Sequence, residues 1–255
     1  MKNRMYRISA FAHRCFLELV RDPLAYIFAV GFPLVMLIAM TVLNESIPPE
    51  AGMTVFRINR LAPAVYVFGL TFLMLFAAIL VSGDREEAFL VRLYISPMQR
   101  ADFLLGYAVP VVLLAVIQGI LTLAAAVVIA LLTDVSLPAA GLLTVIPVSV
   151  PAILLFLGFG LLFGTLLSAK TAPPMSSIVI SAATILGGVW MDLDSMPQDG
   201  IFAALCNILP FRHAVDAARM AMAADFSGIG GHLAVVCAWT AAVWLAAVLA
   251  FRKRL

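Results

Sequence analysis

The chain has 255 residues, of which 64% are hydrophobic and only 12% are charged. A typical soluble domain is about half apolar and about a quarter charged, so this composition excludes an ordinary globular protein. It excludes a disordered chain for the same reason. The formal net charge of +2 gives no indication of nucleic-acid binding.

The N-terminal segment, residues 1–23, predicts an amphipathic helix. Arg7, Arg14 and Arg21 recur every seven residues on one face, and apolar positions recur at helical spacing on another. The apolar positions are Met5, Ile8, Ala12, Cys15 and Leu19. Such a helix lies at a membrane surface with its apolar side in lipid and its basic side towards anionic headgroups. The alternative is an ordinary basic flank of the first span.

Six uncharged stretches follow, and each is long enough to cross a membrane. A hydrocarbon layer of ~30 Å requires about 20 apolar residues in a helix. A charge at the helix centre costs roughly 2.5–3.5 kcal/mol on insertion scales. The predicted spans are residues 24–43, 61–82, 103–132, 141–167, 172–191 and 233–251. The fold class is therefore all-α, a polytopic membrane protein with six transmembrane helices in a single domain, residues 1–255.

Small and helix-breaking residues mark three of the spans. Pro110 predicts a tilt or kink in the third span, and Pro147 and Pro151 interrupt the fourth. Gly160 and Gly164 form a GxxxG pattern, which is compatible with close packing inside the chain and with dimerisation. The fifth span carries hydroxyl groups that either bond to backbone or line a polar pathway. The candidate pathway residues are Ser177, Ser181 and Thr184.

The segment between the fifth and sixth spans, residues 192–231, predicts a helical hairpin outside the membrane or dipping into its outer leaflet. The stretch 201–209 is apolar but too short to cross. Pro210 interrupts it, and a helix-forming stretch follows. We therefore expect a re-entrant hairpin, with a hairpin lying on the surface as the alternative.

Basic residues set the expected orientation. With the N-terminus in the cytoplasm, twelve of the sixteen Lys and Arg residues fall on the inner side and four on the outer side. The positive-inside rule then predicts that both termini are cytoplasmic. The first apolar run starts late and is long enough to span, so no cleavable signal peptide is expected. The predicted location is the cell (inner) membrane.

The sequence offers little chemistry. It has no GxSxG for a serine hydrolase, no GxxxxGK[ST] loop for ATP and no zinc-type cluster of His and Cys. The predicted spans contain no carboxylate or Lys that could relay protons. We therefore expect no catalytic residue and no metal or cofactor bound by this chain. The three cysteines are expected to be unpaired thiols.

The segment between the second and third spans, residues 83–102, is unusually structured for a connection. Asp84 followed by Glu87 resembles a capping box that starts a helix. Ser96-Pro97 then predicts a break and a second helix start. A charged helical segment of this kind is suited to bind a soluble partner. The alternative is that it lies on the membrane surface.

The segment contains Arg85-Glu86-Glu87, Arg92-Leu93, Ser96-Pro97 and Arg100 in this order. With these residues it resembles the signature of ABC-2-type transporter permeases, the membrane subunits of type-2 ABC exporters for drugs, lipids or polysaccharides. Ala88 stands where the family often has glycine. Leu209-Pro210-Phe211 resembles a stretch common in the family's outer hairpin. The order of surface helix, six spans and hairpin extends the resemblance over nearly the whole chain.

The resemblance implies a division of labour. The loop would be a coupling helix that contacts an ATP-binding cassette subunit through Arg85, Glu86, Glu87, Arg92, Ser96, Pro97 and Arg100. That partner would bind ATP and Mg²⁺, and a second permease subunit, identical or a paralogue, would complete the pathway in the lipid bilayer. The apolar spans favour a hydrophobic or amphipathic cargo. An ATP-independent channel or secondary transporter is the alternative, and an intramembrane hydrolase or lipid transferase is a third possibility.

Overall fold

The chain folds as a bundle of apolar helices. A computed structural model describes residues 2–48, 54–87, 99–197 and 199–254, and every regular element within these ranges is a helix. The helices are α1 Lys2–Arg21, α2 Pro23–Ser46, α3 Ile58–Glu86, α4 Arg100–Leu132, α5 Ala139–Val148, α6 Val150–Leu166, α7 Ala172–Leu186, α8 Ile201–Ile208, α9 Pro210–Met222 and α10 Ile229–Arg254. The all-α polytopic fold is confirmed.

The predicted spans have helical counterparts, most with longer bounds than the sequence suggests. In the described residues, α2, α3, α4, the α5–α6 pair and α10 are each long and apolar enough to cross a membrane. The bent α8–α9 pair would make a sixth crossing if it is one span. A π-helical turn over Ile27–Gly31 interrupts α2. The fourth span divides at Ser149, between Pro147 and Pro151, whereas α4 continues through Pro110.

The fifth predicted span, residues 172–191, is longer than the helix that forms there. Helix α7 has 15 residues, and at 1.5 Å per residue it is only about 22 Å long. Gly187 follows it, and Gly188 has a φ of +62°, a left-handed conformation that glycine adopts without steric cost. The chain therefore turns away before the apolar stretch ends.

Helices α8 and α9 form a hairpin bent by 66° at Leu209. The break at Pro210 is thus confirmed. At the bend, Trp239 Nε1 donates to the Ile208 carbonyl at 2.9 Å. Trp239 lies ten residues after the start of α10, which corresponds to about 15 Å along the helix. The Phe211 ring stacks on Phe156 of α6 with centroids 6.3 Å apart. The bend therefore lies beside the first half of α10 and packs against α6.

Helix α3 is the centre of the bundle. Its side chains are buried over most of its length, and Tyr66 and Met74 are fully enclosed. Gly160 and Gly164 of α6 face α3, where a Cβ on Gly160 would lie 2.7 Å from the Met74 carbonyl oxygen. The GxxxG pattern therefore provides close packing within the chain.

The bundle has two ends. The loop end is where α3 ends and α4 begins, and the hairpin end is where α3 begins and α8–α9 packs. Helix α10 runs parallel to α6, because Thr240 Oγ1 donates to the Pro151 carbonyl and Trp244 Nε1 donates to the Leu154 carbonyl, at 3.1 and 2.8 Å.

Candidate functional site at the loop end

Two buried carboxylates flank the α3–α4 loop, residues 87–99. Asp84 lies in the last turn of α3 and Asp102 in the first turn of α4, and their side chains are 1% and 3% exposed. A buried charge without a partner costs several kcal/mol. The contacts of these two groups therefore determine how the loop is held.

Asp84 binds the N-terminal helix. Arg14 of α1 donates from both terminal nitrogens to the two carboxylate oxygens, at 2.5 and 2.7 Å. The hydroxyl of Tyr107 on α4 donates to the same carboxylate at 2.7 Å. A carboxylate at a helix C-terminus is disfavoured by the helix dipole, so these contacts are what stabilise it there. Asp84 thereby joins α1, α3 and α4.

Asp102 makes the corresponding contact on the other side of the loop. Arg4 of α1 donates from Nε at 2.8 Å, and a terminal nitrogen lies 2.7 Å from the same oxygen. The second carboxylate oxygen accepts from the Gln99 backbone N–H at 2.9 Å, which completes a capping box at the start of α4. Helix α1 therefore holds both ends of the loop.

Aromatic packing reinforces these ion pairs. The Phe11 ring meets Phe103 and Tyr107 edge-on, with centroids 5.7 and 5.0 Å apart. Gly106 makes this approach feasible, because a Cβ there would lie 2.2 Å from Phe11 Cδ1. The contact fixes α1 against α4.

The apolar face of α1 is therefore not simply a lipid-facing surface. Ala12, Cys15 and Leu19 are buried, whereas Met5 remains 72% exposed. The expectation that this whole face enters lipid is wrong for its C-terminal part, because the bundle covers it. Arg14 likewise binds Asp84 instead of pointing only towards headgroups.

Burial changes the acidity of two groups on α1. It raises the pKa of the Cys15 thiol to about 12, and the nearby Asp84 carboxylate adds to the effect. Burial also raises the pKa of Glu18 above its ordinary value, although Arg14, 2.6 Å away, opposes the shift. Cys15 is consequently a packing residue with little thiolate at neutral pH.

Arg85 and Glu86 bind the connection between α6 and α7. Arg85 donates to the carbonyl oxygens of Thr165 and, at 2.5 Å, of Leu167. These carbonyls lie at the end of α6, where backbone acceptors lack helical partners and a cation is favourable. Glu86 accepts from the Ala169 backbone N–H at 2.8 Å. Both side chains therefore have contacts inside the chain, and their predicted contact with a partner subunit stays a prediction.

The remaining predicted loop residues are placed less fully. Glu87 is exposed at the C-terminus of α3. Arg92, Ser96 and Pro97 lie outside the described residues, and Arg100 begins α4 without a described side chain. The predicted helix start at Asp84 is wrong, because α3 continues through Asp84 to Glu86. The carboxylate binds Arg14 instead of capping a new helix.

The predicted pathway hydroxyls lie on α7. Ser177 and Ser181 are four residues apart on its exposed face, and Thr184 is half-buried nearby. Ser177 and Thr184 donate to the carbonyls four residues earlier, at 3.0 and 2.6 Å. Nothing in the chain itself assigns them to a pathway.

The arrangement at the loop end joins three helices through ion pairs and hydrogen bonds. Among its described residues no nucleophile is paired with a base. Among the described residues there is no group of three or more His, Cys, Asp or Glu able to hold a metal ion. The sequence reasoning missed Arg4, Asp102 and Tyr107. The only sequence signal among them is that Asp102 directly precedes the long uncharged stretch 103–132.

An apolar bundle with five or six candidate spans in its described residues, a bent helical hairpin and an ion-paired loop is the architecture of a multi-pass membrane protein. The family model described as ABC-2 type transporter matches residues 6–223. The chain belongs to this family, which confirms the resemblance drawn from the loop. No curated protein matches the sequence. The chain is therefore a permease component of an ABC transporter. Membership of this family implies association with an ATP-binding subunit and with a membrane.

Proposed function

We propose that this chain is the membrane-spanning subunit of an ATP-driven exporter. A second permease subunit, identical or a paralogue, completes the translocation pathway, and a separate ATP-binding cassette subunit binds ATP and Mg²⁺. The chain itself binds no cofactor for transport. It lies in the cell (inner) membrane with both termini in the cytoplasm, so that the loop end faces the ATP-binding subunit.

The observation that carries this proposal is the fastening of the α3–α4 loop at both ends. Asp84 and Asp102 bind Arg14 and Arg4 of the same helix, α1. A displacement applied to the loop would therefore move α1, α3 and α4 together instead of bending a flexible connector. A partner that binds the loop differently in two nucleotide states could shift the bundle between two conformations.

A second contact route leads from the loop end to α7. Arg85 and Glu86, at the end of α3, bind the connection that precedes α7. Helix α7 carries Ser177 and Ser181 on its exposed face, beside the apolar Ile178. A second permease subunit facing this surface would enclose a route with apolar walls and a few hydroxyls. Such a route suits a hydrophobic or amphipathic cargo.

The decisive experiment is purification with the ATP-binding protein encoded nearest to this chain, followed by charge reversal in the loop. Glu87→Lys is the main variant, because Glu87 is exposed and makes no described contact that the change would break. Arg92→Glu tests the position predicted from sequence. Arg57→Glu is the control, since it reverses an exposed charge at the hairpin end.

We expect both loop variants to weaken the complex and to lower cargo-stimulated ATP hydrolysis, while Arg57→Glu leaves both unchanged. Unchanged assembly and unchanged stimulated hydrolysis in both loop variants would remove the coupling role. Cargo flux in liposomes that contain this chain without any nucleotide-binding protein would favour a channel or secondary transporter.

A further inference from the structure

We propose that His213 and His232 form a binding site for a divalent transition-metal ion at the hairpin end. The sequence has three histidines, and two of them meet here across 19 positions of sequence. Their Nδ1 atoms lie 2.9 Å apart, and the ring centroids are separated by 5.1 Å. His213 belongs to α9 and His232 to α10, so the pair joins the hairpin to the last span.

The hydrogen bonding of His213 presents its Nδ1 as a ligand atom. Its Nε2 lies 2.8 Å from the Asn207 carbonyl oxygen. A carbonyl only accepts, so Nε2 carries the proton and donates, which leaves a lone pair on Nδ1 in the neutral ring. Metal-binding histidines usually donate their other ring N–H to a carbonyl or carboxylate in this way. The backbone at the end of α8 thus orients His213 towards His232.

In the metal-free pair the two nitrogens share a hydrogen bond, in which Nδ1 of His232 donates to Nδ1 of His213. An ion would replace that proton, and His232 would then carry its proton on Nε2. Zinc–nitrogen bonds are about 2.0–2.1 Å long, so two tetrahedral ligands lie about 3.4 Å apart. The nitrogens would therefore have to separate by about half an ångström, and the rings would have to turn until both lone pairs point at the ion. Imidazole donors favour Zn²⁺, Cu²⁺ or Ni²⁺ over Mg²⁺ and Ca²⁺.

The surrounding charges tolerate a cation. Asp216 lies one turn after His213 on α9, and its negative charge and the positive charge of Arg212 both act on His232. Arg212 binds Asp194 at 2.6 Å and Asp216 at 3.3 Å, so carboxylates offset its charge. Both rings are half-buried and so reachable from solvent. Within the described residues no third His, Cys, Asp or Glu completes the site, so water would fill the remaining positions.

A bound ion would cross-link α9 to α10 and stabilise the packing of the hairpin against α10. This inference stands independently of the coupling role proposed above, because it concerns the opposite end of the bundle. It can be tested on the full-length permease, purified without a polyhistidine tag in detergent or nanodiscs, alone or with its ATP-binding subunit.

The test is a Zn²⁺ titration against a chromophoric chelator. We expect one Zn²⁺ per chain, with affinity lowered at least tenfold in His213→Ala and in His232→Ala, a loss typical of altered metal sites. His13→Ala is the matched control, because His13 is the remaining histidine and is exposed on α1. Its binding should equal that of the unaltered chain. Co²⁺ absorption should report nitrogen ligands in the chain and in this control only.

A second readout guards against misfolded variants. Zn²⁺ should raise the melting temperature of the unaltered chain and of His13→Ala, but not that of His213→Gln. The glutamine variant keeps a polar side chain at this position. It must first elute as a monodisperse peak in size-exclusion chromatography. Failure of the unaltered chain to bind Zn²⁺ at up to about 1 mM would overturn the proposal and leave the pair as a hydrogen bond alone. Binding that survives both alanine substitutions would overturn it as well, as adventitious binding elsewhere.

Discussion

Arg14 and Asp84 lie 70 residues apart in the sequence, and their side chains form a two-pronged ion pair in which both guanidinium nitrogens meet both carboxylate oxygens. The carboxylate is almost fully buried, and the guanidinium is one-third exposed. Paired geometry of this kind is the strongest arrangement available to an arginine and a carboxylate. It makes α1 a structural part of the bundle.

Replacing Asp84 with Asn should therefore destabilise the protein. The substitution removes the charge that Arg14 and Tyr107 bind, and we expect a loss of about 2–3 kcal/mol, reduced from the value for a fully buried pair because Arg14 is partly in solvent. Thermal unfolding followed by size-exclusion chromatography measures the change. Arg21→Ala, an exposed arginine on the same helix, is the control and should have little effect.

A double-mutant cycle separates this pair from the rest of the packing. Arg14→Ala and Asp84→Asn should be markedly non-additive, since each alone removes the same interaction. Additive effects would contradict the assignment of Asp84 as the anchor of α1.

Gly106→Ala should loosen α1 from α4. The added Cβ would lie 2.2 Å from Phe11 Cδ1, and the Phe11 ring is held between Phe103 and Tyr107. We expect a loss of about 1–3 kcal/mol, typical of overpacking. Gly83→Ala is the matched control, because nothing lies within 4 Å of a Cβ there. It should be neutral or stabilise its helix by up to about 1 kcal/mol.

The Gly106 prediction has an internal rescue. Phe11→Leu removes the ring atoms that the new Cβ would meet, so it should restore part of the stability lost in Gly106→Ala. Equal melting temperatures for Gly106→Ala and Gly83→Ala would show that Phe11 does not pack there.

Cys15 should react slowly with thiol reagents, and its labelling should rise with pH. With a pKa of about 12, only about one thiol in ten thousand is ionised at pH 8, against about a quarter for an ordinary thiol. Because the folded pKa is raised, the reactive thiolate accumulates only as the pH approaches 12. The measurement is maleimide labelling in a background where Cys206 and Cys237 are replaced by Ser.

The control for Cys15 is a cysteine on the exposed side of the same helix. Ser9→Cys, combined with Cys15→Ser in that background, places a thiol at an exposed position of α1 and should label rapidly at pH 8. Similar rates at the two positions would mean that α1 does not pack on the bundle as described.

The spans could be predicted from sequence because hydrocarbon tolerates few charges, but their ends could not. The charges of Asp84, Arg85 and Glu86 predict a loop, yet α3 continues through all three residues. Polar side chains do not end a helix when groups on neighbouring elements form hydrogen bonds or ion pairs with them. The opposite error occurred after α7, where the apolar stretch continues but Gly188 turns the chain.

The pairing at the loop end lay beyond sequence reasoning for a different reason. The seven-residue spacing of arginines in α1 is visible, but the same spacing suits headgroups and carboxylates equally. Which of the 14 acidic residues meets Arg14 depends on how α1 packs against α3 and α4. That packing depends in turn on local shape, such as the space left by Gly106 under Phe11. A single sequence does not reveal contacts of this kind.

Gly160→Ala should unfold the bundle instead of merely changing its oligomeric state. The added Cβ would lie 2.7 Å from the Met74 carbonyl oxygen and 2.8 Å from Ala77 Cβ, and backbone atoms of a central helix cannot move aside as a side-chain tip can. Helices α3 and α6 would have to separate, with a loss of about 3 kcal/mol or more in the free energy of unfolding.

Gly231→Ala is the control, because a Cβ there meets nothing within 4 Å. Yield, melting temperature and trypsin resistance should fall for Gly160→Ala alone. A well-folded Gly160→Ala protein that has only lost self-association would instead identify the GxxxG pattern as a contact between copies of the chain.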